Sequence, residues 1–281
     1  MFPRALLFGP ALLLTLAIAC GGGGRELILA TTTSTQDSGL LDVLVPMFEE
    51  RTDYAVKTIA VGSGAALRLG EEGEADVILA HSPDAEEGFM AANHGVNRRL
   101  VMHNDFIIVG PAGDPAGTRG LDDAAEAFRR IAASWATFLS RGDESGTHTK
   151  ELKVWDSAGV EPSGRWYQET GTGMGPTLLV ADEKRGYTLS DRGTYLAQRD
   201  AVALEVLVEG DPALFNVYHV MQVNSEKSGR INAEGAAAFA EFITSDEIQK
   251  VIHDYGAAEY GQPLFVPDAY LESTPGGQPA P

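Results

Sequence analysis

The chain has 281 residues, 44% of them hydrophobic, and its 40 acidic against 21 basic side chains give a formal net charge of −19 at pH 7. Such an excess of negative charge argues against nucleic acid or an anionic membrane surface as the partner. Cys20 is the single cysteine, so no internal disulfide is available, and with Cys20 modified no thiol remains for redox, nucleophilic or metal chemistry.

Residues 1–19 carry one charge, Arg4, and then an apolar run from Ala5 to Ala19 broken by Gly9-Pro10. That is the pattern of an export signal peptide, and the run is short for a membrane span of ~20 residues. Ala17-Ile18-Ala19-Cys20 resembles a bacterial lipoprotein cleavage box, with Ala17 where leucine is more usual. The resemblance implies that Cys20 is lipidated and that residues 20–25 form a tether; plain secretion and an uncleaved anchor are the alternatives. The length that remains suits two lobes better than one core.

Strand-like and helix-like segments then alternate, as in an α/β protein with its sheets covered on both faces. Leu27 to Ala30 reads as a strand leading into Thr31-Thr32-Thr33-Ser34-Thr35, and Leu40, Leu41, Leu44, Val45 and Phe48 share one helical face after the cap candidates Asp37-Ser38-Gly39. Pro46 should kink that helix or weaken its first turns. Val56 to Val61 is a second strand, ending in Gly62-Ser63-Gly64, with a helix from Ala65 to Glu72. Ala75 to Ala80 is a third, ending at His81-Ser82-Pro83. Each of these strands stops at a small polar turn before a helix, where ligands bind in open α/β sheets.

Leu100 to Val109 reads as a long strand leaving the first lobe. A helix over Asp122 to Trp135, a strand over Thr137 to Leu139 and a helix over His148 to Ser157 follow. A further helix runs to about Lys184 from Gly171-Thr172-Gly173-Met174-Gly175, and strands cover Tyr187 to Leu189 and Leu204 to Val208. Tyr218 to Val223 returns to the first lobe, and the last helices span Asn232 to Ile243 and Asp246 to Tyr255, with Thr244 and Glu247 spaced as a capping box. The organisation expected is lobe 1 from 26–109 plus 218–270, lobe 2 from 110–217, and a disordered tail over 271–281.

Two loops carry the chemistry. The five hydroxyls of Thr31 to Thr35, and Ser140-Arg141-Gly142-Asp143-Glu144-Ser145-Gly146-Thr147-His148 about a hundred residues later, both lie between a strand and a helix. Hydroxyls and helix-start N–H groups joined by one guanidinium are the donors an oxyanion needs. The high negative charge does not oppose this, because exposed charges are screened over ~10 Å at 0.1 M salt while oriented donors act at contact distance. Plainer readings stand beside it: the hydroxyl run as a helix-capping turn, Arg141 as a surface partner of Asp143, and Arg192 as a lobe-to-lobe ion pair. Gly171 to Gly175 lacks the lysine and spacing of a nucleotide loop. His81, His94, His103, His148, His219 and His253 show no pairing at helical metal-site spacing, which favours surface or core roles. A serine hydrolase using Ser145 or Ser34 with a histidine such as His148 is the alternative from another class, though no Gly-x-Ser-x-Gly elbow supports it.

Thr31-Thr32-Thr33-Ser34-Thr35-Gln36-Asp37-Ser38-Gly39-Leu40-Leu41, Val61-Gly62-Ser63-Gly64, Asn104-Asp105-Phe106, the Ser140 to His148 loop, Gly171 to Gly175 and Leu189-Ser190-Asp191-Arg192-Gly193-Thr194-Tyr195 together resemble the tungstate-binding proteins of bacterial ABC importers. The likeness runs from about Glu26 to about Pro267. It implies a two-lobe periplasmic-binding-protein fold, type II-like, with the ligand in the cleft between lobes, and an extracytoplasmic, lipid-anchored, monomeric, non-enzymatic receptor without a cofactor. An ABC permease and its ATPase are the implied partners, and molybdate, sulfate or phosphate the alternative ligands. Carried over by motif, Thr32, Thr33 and Ser34, Ser63, and Arg141, Ser145 and Thr147 would surround the anion. Ser63 stands where the family often has threonine, and His103 where tyrosine is usual.

Overall fold

The computed structural model describes residues 25–143 and 145–269. The signal segment 1–19, Cys20, Gly21 to Gly24 of the tether, Glu144 and the tail 271–281 lie outside the described residues. Arg25, assigned to the tether above, is instead the first residue of a strand. In chain order come β1 (Arg25–Thr32), α1 (Thr33–Asp37), α2 (Leu40–Arg51), β2 (Tyr54–Val61), α3 (Ser63–Glu71), β3 (Val77–Ala80), α4 (Pro83–Ala91) and β4 (Gly95–Pro111). They are followed by α5 (Ala124–Ala133), β5 (Phe138–Ser140), α6 (Gly146–Ala158), β6 (Tyr167–Glu169), α7 (Met174–Lys184), β7 (Thr188–Asp191), α8 (Arg192–Gln198) and β8 (Leu204–Val208). The last are β9 (Phe215–Val223), α9 (Ala233–Ile243), α10 (Asp246–Asp254) and α11 (Ala257–Tyr260).

The first lobe is built on the strand order β2-β1-β3-β9-β4, with β1 parallel to β2 and β3 and with β9 antiparallel to β3 and β4. Parallel strands must be covered on both sides, and the alternation of side chains supplies that cover. Leu27, Leu29, Val77 and Leu79 pack with Leu40, Leu44 and Phe48 of α2 and with Phe239, Ile248 and Ile252 of α9 and α10. Ala30, Ile78 and Ala80 turn the other way, onto Ala66 and Leu67 of α3 and Phe89 of α4. Burial of Leu40, Leu41, Leu44 and Phe48 carries α2 through Pro46, which sits inside the helix.

β4 is the strand that both lobes share. From Gly95 to Asp105 it pairs with β9, and from Phe106 onward it pairs with β7 and β8. Phe106 and Ile108 pack with Phe128, Phe138 and Trp155, while Ile107 and Val109 pack with Leu139, Leu178 and Ala181. Residues 106–109, read from the sequence as the end of the first lobe, therefore belong to the second core. The change of side falls at two polar residues. Asn104 accepts from Asn216 Nδ2 at 2.8 Å across the β4–β9 ladder, and Asp105 accepts from Arg192 Nε and Nη2 at 2.7 and 2.6 Å. Arg192 also reaches Glu209 at 2.7 Å, so it is an ion-pair residue rather than a cleft donor.

The Thr244–Glu247 capping box does not form. Ser245 takes the N-cap position of α10 without a side-chain capping bond, the Thr244 hydroxyl donates back to the Ala240 carbonyl at 2.8 Å, and Glu247 pairs with Arg51 at 2.8 Å. Away from the crossing strands, the lobes also touch through Lys153 Nζ and Asp84 Oδ2 at 2.7 Å, and through Arg199 Nη1 donating to the Tyr260 carbonyl at 3.0 Å. No helix among the described residues is long and apolar enough to cross a membrane.

Asp76, 5% exposed, ties the start of the chain to its return. Its two oxygens accept the N–H groups of Ile28 and Asn232, both at 2.7 Å. Removing an acceptor from a buried donor costs roughly 1–3 kcal/mol. Asp76→Ala is therefore expected to lower stability by about 2–4 kcal/mol in urea unfolding, with Asp76→Asn intermediate.

Candidate functional site

The cleft between the lobes holds a cavity of about 420 Å³ lined on one side by Thr33, Ser34, Asp37, Ser38 and His81 and on the other by Arg141, Ser145, Gly146, Thr147 and the start of α7 from Gly173 to Pro176. Asn104, Asn216 and Tyr218, from the crossing strands, form its floor, and Asp191, Gly193 and Thr194 enter from the start of α8. The volume lies in the range that holds a small organic ligand. A four-oxygen anion would use part of it.

On the first wall, the buried end of β1 delivers the hydroxyls. Thr31 donates to the Leu79 carbonyl at 2.9 Å and is spent on holding β1 to β3. Thr32 caps α1, its Oγ1 accepting the Thr35 N–H at 3.2 Å, so the capping role that hydroxyl runs favour is real at this residue. The same Oγ1 meets Ser34 Oγ at 3.1 Å, Thr35 Oγ1 at 2.6 Å and His81 Nε2 at 2.9 Å. His81 Nε2 is also 3.0 Å from Ser34 Oγ. Thr32 thus lies behind the cavity and fixes Ser34, which lines it.

On the second wall, β5 ends at the buried Ser140 and α6 begins after it. Ser145 is the N-cap of this 13-residue helix and accepts the His148 N–H at 3.3 Å. The first N–H groups of a helix have no partner within it, so Gly146 and Thr147 present donors and a positive dipole end to the cleft. Gly142 adopts φ +58°, and a side chain there would run into Glu169. Asp143 orders the turn, accepting from Ser145 N at 3.2 Å and from Arg141 Nε at 3.1 Å. Burial pushes the Asp143 carboxyl up, but hydrogen bonds from Ser145 and Arg141 outweigh it and hold the group below the usual carboxylate range. The pairing occupies one edge of the guanidinium. Nη1, on the other edge, lies 3.4 Å from Thr147 Oγ1.

Of the seven residues expected at the site, Thr33, Ser34, Arg141, Ser145 and Thr147 line one cavity and Thr32 stands directly behind Ser34. Ser63 does not line it. It opens α3 at the end of β2, beside the end of β1 in the parallel pair. Sequence reasoning missed His81, Asn104, Asn216 and Tyr218 as lining residues. The rings of His81 and Tyr218 lie tilted at 43° with centroids 4.7 Å apart, and the Tyr218 hydroxyl accepts from Asn216 Nδ2 at 3.0 Å. The two walls approach closely here: a Cβ on Gly146 would stand 3.5 Å from His81 Cε1.

Burial pushes the His81 imidazole down to about 4, against the pull of Glu86, so the ring is neutral at pH 7. The Ser34–His81 contact has the reach of a nucleophile and its base, but a base of that weakness, shared with Thr32, is poorly matched to proton abstraction near neutrality. Among the described residues no group of three or more His, Cys, Asp or Glu side chains could hold a metal ion.

Residues 20–247 match the model of a PBP superfamily domain. The chain is 51% identical over 246 residues to the tungstate-binding protein TupA of Peptoclostridium acidaminophilum, covering 87% of this chain and 86% of that protein. It is 40% identical over 241 residues to the TupA of Campylobacter jejuni, covering 84% and 88% respectively. Among solved structures, the tungstate-binding protein TupA from Desulfovibrio alaskensis superposes with a TM-score of 0.80 at 42% identity, over 86% of this chain and 98% of that one.

A histidine whose folded pKa lies below its unfolded value adds stability at neutral pH that is lost as pH falls, because the unfolded chain binds the proton first. For His81 the window runs from about 6.5 down to about 4. NMR titration of the ring is expected to place its midpoint below 5. The stability advantage of the native protein over His81→Gln should shrink through that window by no more than ~1.4 kcal/mol per pH unit.

Proposed function

This chain belongs to the PBP superfamily and, within it, to the tungstate-binding proteins, and from that premise we propose that it is the extracytoplasmic receptor that captures tungstate for an ABC importer. It is a binding protein and not an enzyme. The observation that carries the reading is the meeting, at one cavity, of the hydroxyls following β1 with the start of α6 and Arg141.

Tungstate is a dianion with no proton to donate at neutral pH, so its pocket must supply donors only. Thr33 and Ser34 from one wall, and Ser145, Thr147, the first N–H groups of α6 and Arg141 from the other, are assigned that role. Thr32 acts by fixing Ser34, and Ser63 is kept as a donor from the same wall, beside the end of β1. With one edge of its guanidinium held by Asp143, Arg141 is preorganised to offer the other edge to two oxygens, which lysine cannot do. Each hydrogen bond to a charged partner contributes roughly 1.5–3 kcal/mol. Several of them exceed an association cost of ~4–15 kcal/mol. Donors divided between two walls bind a closed cleft better than an open one, so ligand shifts the population toward closure and occupancy becomes legible to a permease.

The lobe division 26–109 plus 218–270 against 110–217, with its first crossover moved back to Asn104-Asp105, is supported by the separate cores on either side. Lipidation of Cys20 beyond a cleaved leader, anchorage to the outer face of the cell membrane and a monomeric state complete the proposal.

Calorimetry with tungstate, molybdate, sulfate and phosphate tests it, and tungstate is expected to bind most tightly. Sulfate or phosphate binding equally well would point to a general oxyanion receptor. Arg141→Ala should weaken tungstate at least tenfold, the loss of one or more charged hydrogen bonds, and Arg141→Lys should fall between. An unchanged affinity in Arg141→Ala would remove Arg141 from the site.

A further inference from the structure

Resting on the receptor reading above, we propose that Glu151 is a proton-linked positioning residue of the anion site, whose carboxyl holds its proton more tightly, and so draws proton from solvent, when a dianion occupies the cleft. Glu151 is 2% exposed and lies on α6 four residues after Thr147, on the same buried face. The rise of a helix puts it about 6 Å behind Thr147 along the axis.

Its partners are neutral donors. Trp155 Nε1 donates to Oε1 at 3.1 Å and Tyr167 OH to the same oxygen at 2.9 Å, and the nearby Ser140 hydroxyl also favours the ionised form. Ser140 is the residue before Arg141. Of the other buried carboxylates among the described residues, Glu86 is matched to Arg98 and His219, both at 2.9 Å, Asp268 to His103 at 2.8 Å, and Asp76 is held by the backbone N–H groups of Ile28 and Asn232. Among the groups facing Glu151, the charged one on β6 is Glu169, which is also acidic. Arg141, beyond Ser140, is turned to Asp143. Apolar Ala127, Phe128 and Ile131 of α5, and Leu189 of β7, belong to the cluster around Trp155.

Burial dominates the balance and pushes the Glu151 carboxyl up to about 7, with Ser140, Tyr167 and Trp155 pulling the other way. The group is thus divided between two charge states at neutral pH. Ionised, it places a negative charge directly behind the donors of α6 and repels the ligand. Neutral, it leaves the helix start and Arg141 unopposed. At a separation of roughly 10 Å and an effective dielectric near 20, the two states differ at least tenfold in affinity for a dianion. By linkage, a tenfold difference raises the carboxyl by about one pH unit on binding, so roughly half a proton is taken up at pH 7.5.

The test is calorimetry with tungstate at pH 7.5 in buffers of different ionisation enthalpy, repeated from pH 6.5 to 8.5. The native protein is expected to take up roughly half a proton at pH 7.5 and to lose roughly fivefold in affinity across that range. Glu151→Gln, which keeps an acceptor for Trp155 and Tyr167, should show no uptake and hold its affinity at pH 8.5. In His148→Gln the uptake should persist, and in Tyr167→Phe, which removes a donor, its maximum should move to higher pH. Tungstate heats without proton uptake in the native protein, uptake that survives Glu151→Gln, or uptake abolished by His148→Gln would each overturn the role of Glu151 and leave the receptor reading standing. Absence of any tungstate heat at every pH would overturn both.

Discussion

Both lobes depend on the antiparallel ladder between β4 and β9. Asn104 faces Asn216 and Asp105 faces Phe215 where the two strands leave the first sheet, and from Phe106 onward β4 is already part of the second. A β-ladder resists slippage, because a one-residue shift would turn every buried side chain to the wrong face. It bends more readily. Movement of one lobe against the other is therefore confined to flexing about this polar crossing, where the Asp105–Arg192–Glu209 cluster braces the second lobe and where Asn216 and Tyr218 form the cleft floor. On the receptor reading proposed above, hinge and binding site share residues, and that sharing would let a bound ion report on lobe angle.

On the proposed reading, the cleft is where a strongly acidic protein holds an anion. Two carboxylates near the donors are tied down. Asp143 is bonded to Arg141 and Ser145, and Asp191, which lines the cavity, has one oxygen committed to the Thr194 N–H at 2.8 Å. His81 is kept neutral by burial, so the first wall contributes oriented dipoles and no fixed positive charge. Its ring fixes Thr32 and Ser34 together. Donors held in place before the ligand arrives lose little entropy on binding, and that preorganisation, more than any count of contacts, sets affinity.

Much of this was legible in the residues. Leu27 to Ala30 and Ala75 to Ala80 read as buried strands because parallel strands are apolar on both faces, the second beginning at Val77 in the structure, and Thr33, Ser34 and His81 of the polar turns that end them stand at the cleft. The strand at Leu204 to Val208 was read to the residue. What escaped was either short or non-local. β6 is three residues with none buried, and the first residues of β4 pass through the left-handed Asn97 and the charged Arg98 and Arg99. Asn104, Asn216 and Tyr218 are single polar residues on strands, and nothing near them in sequence says that two strands more than a hundred residues apart will set them on one floor. Thr244 failed as a cap because the next residue, Ser245, took the position and Glu247 found Arg51 across the surface. Glu151 gave no signal at all, since a glutamate in a helix is ordinarily solvated.

The direction of β1 has a consequence for how the molecule is held. The strand runs eight residues from Arg25 to Thr32, roughly 25 Å at a strand's rise per residue. It enters the first lobe at the edge remote from the opening and stops at the hydroxyls. Whatever grips the protein through the residues before Arg25 grips it by the back, and leaves the mouth turned outward, free to meet a second protein face to face.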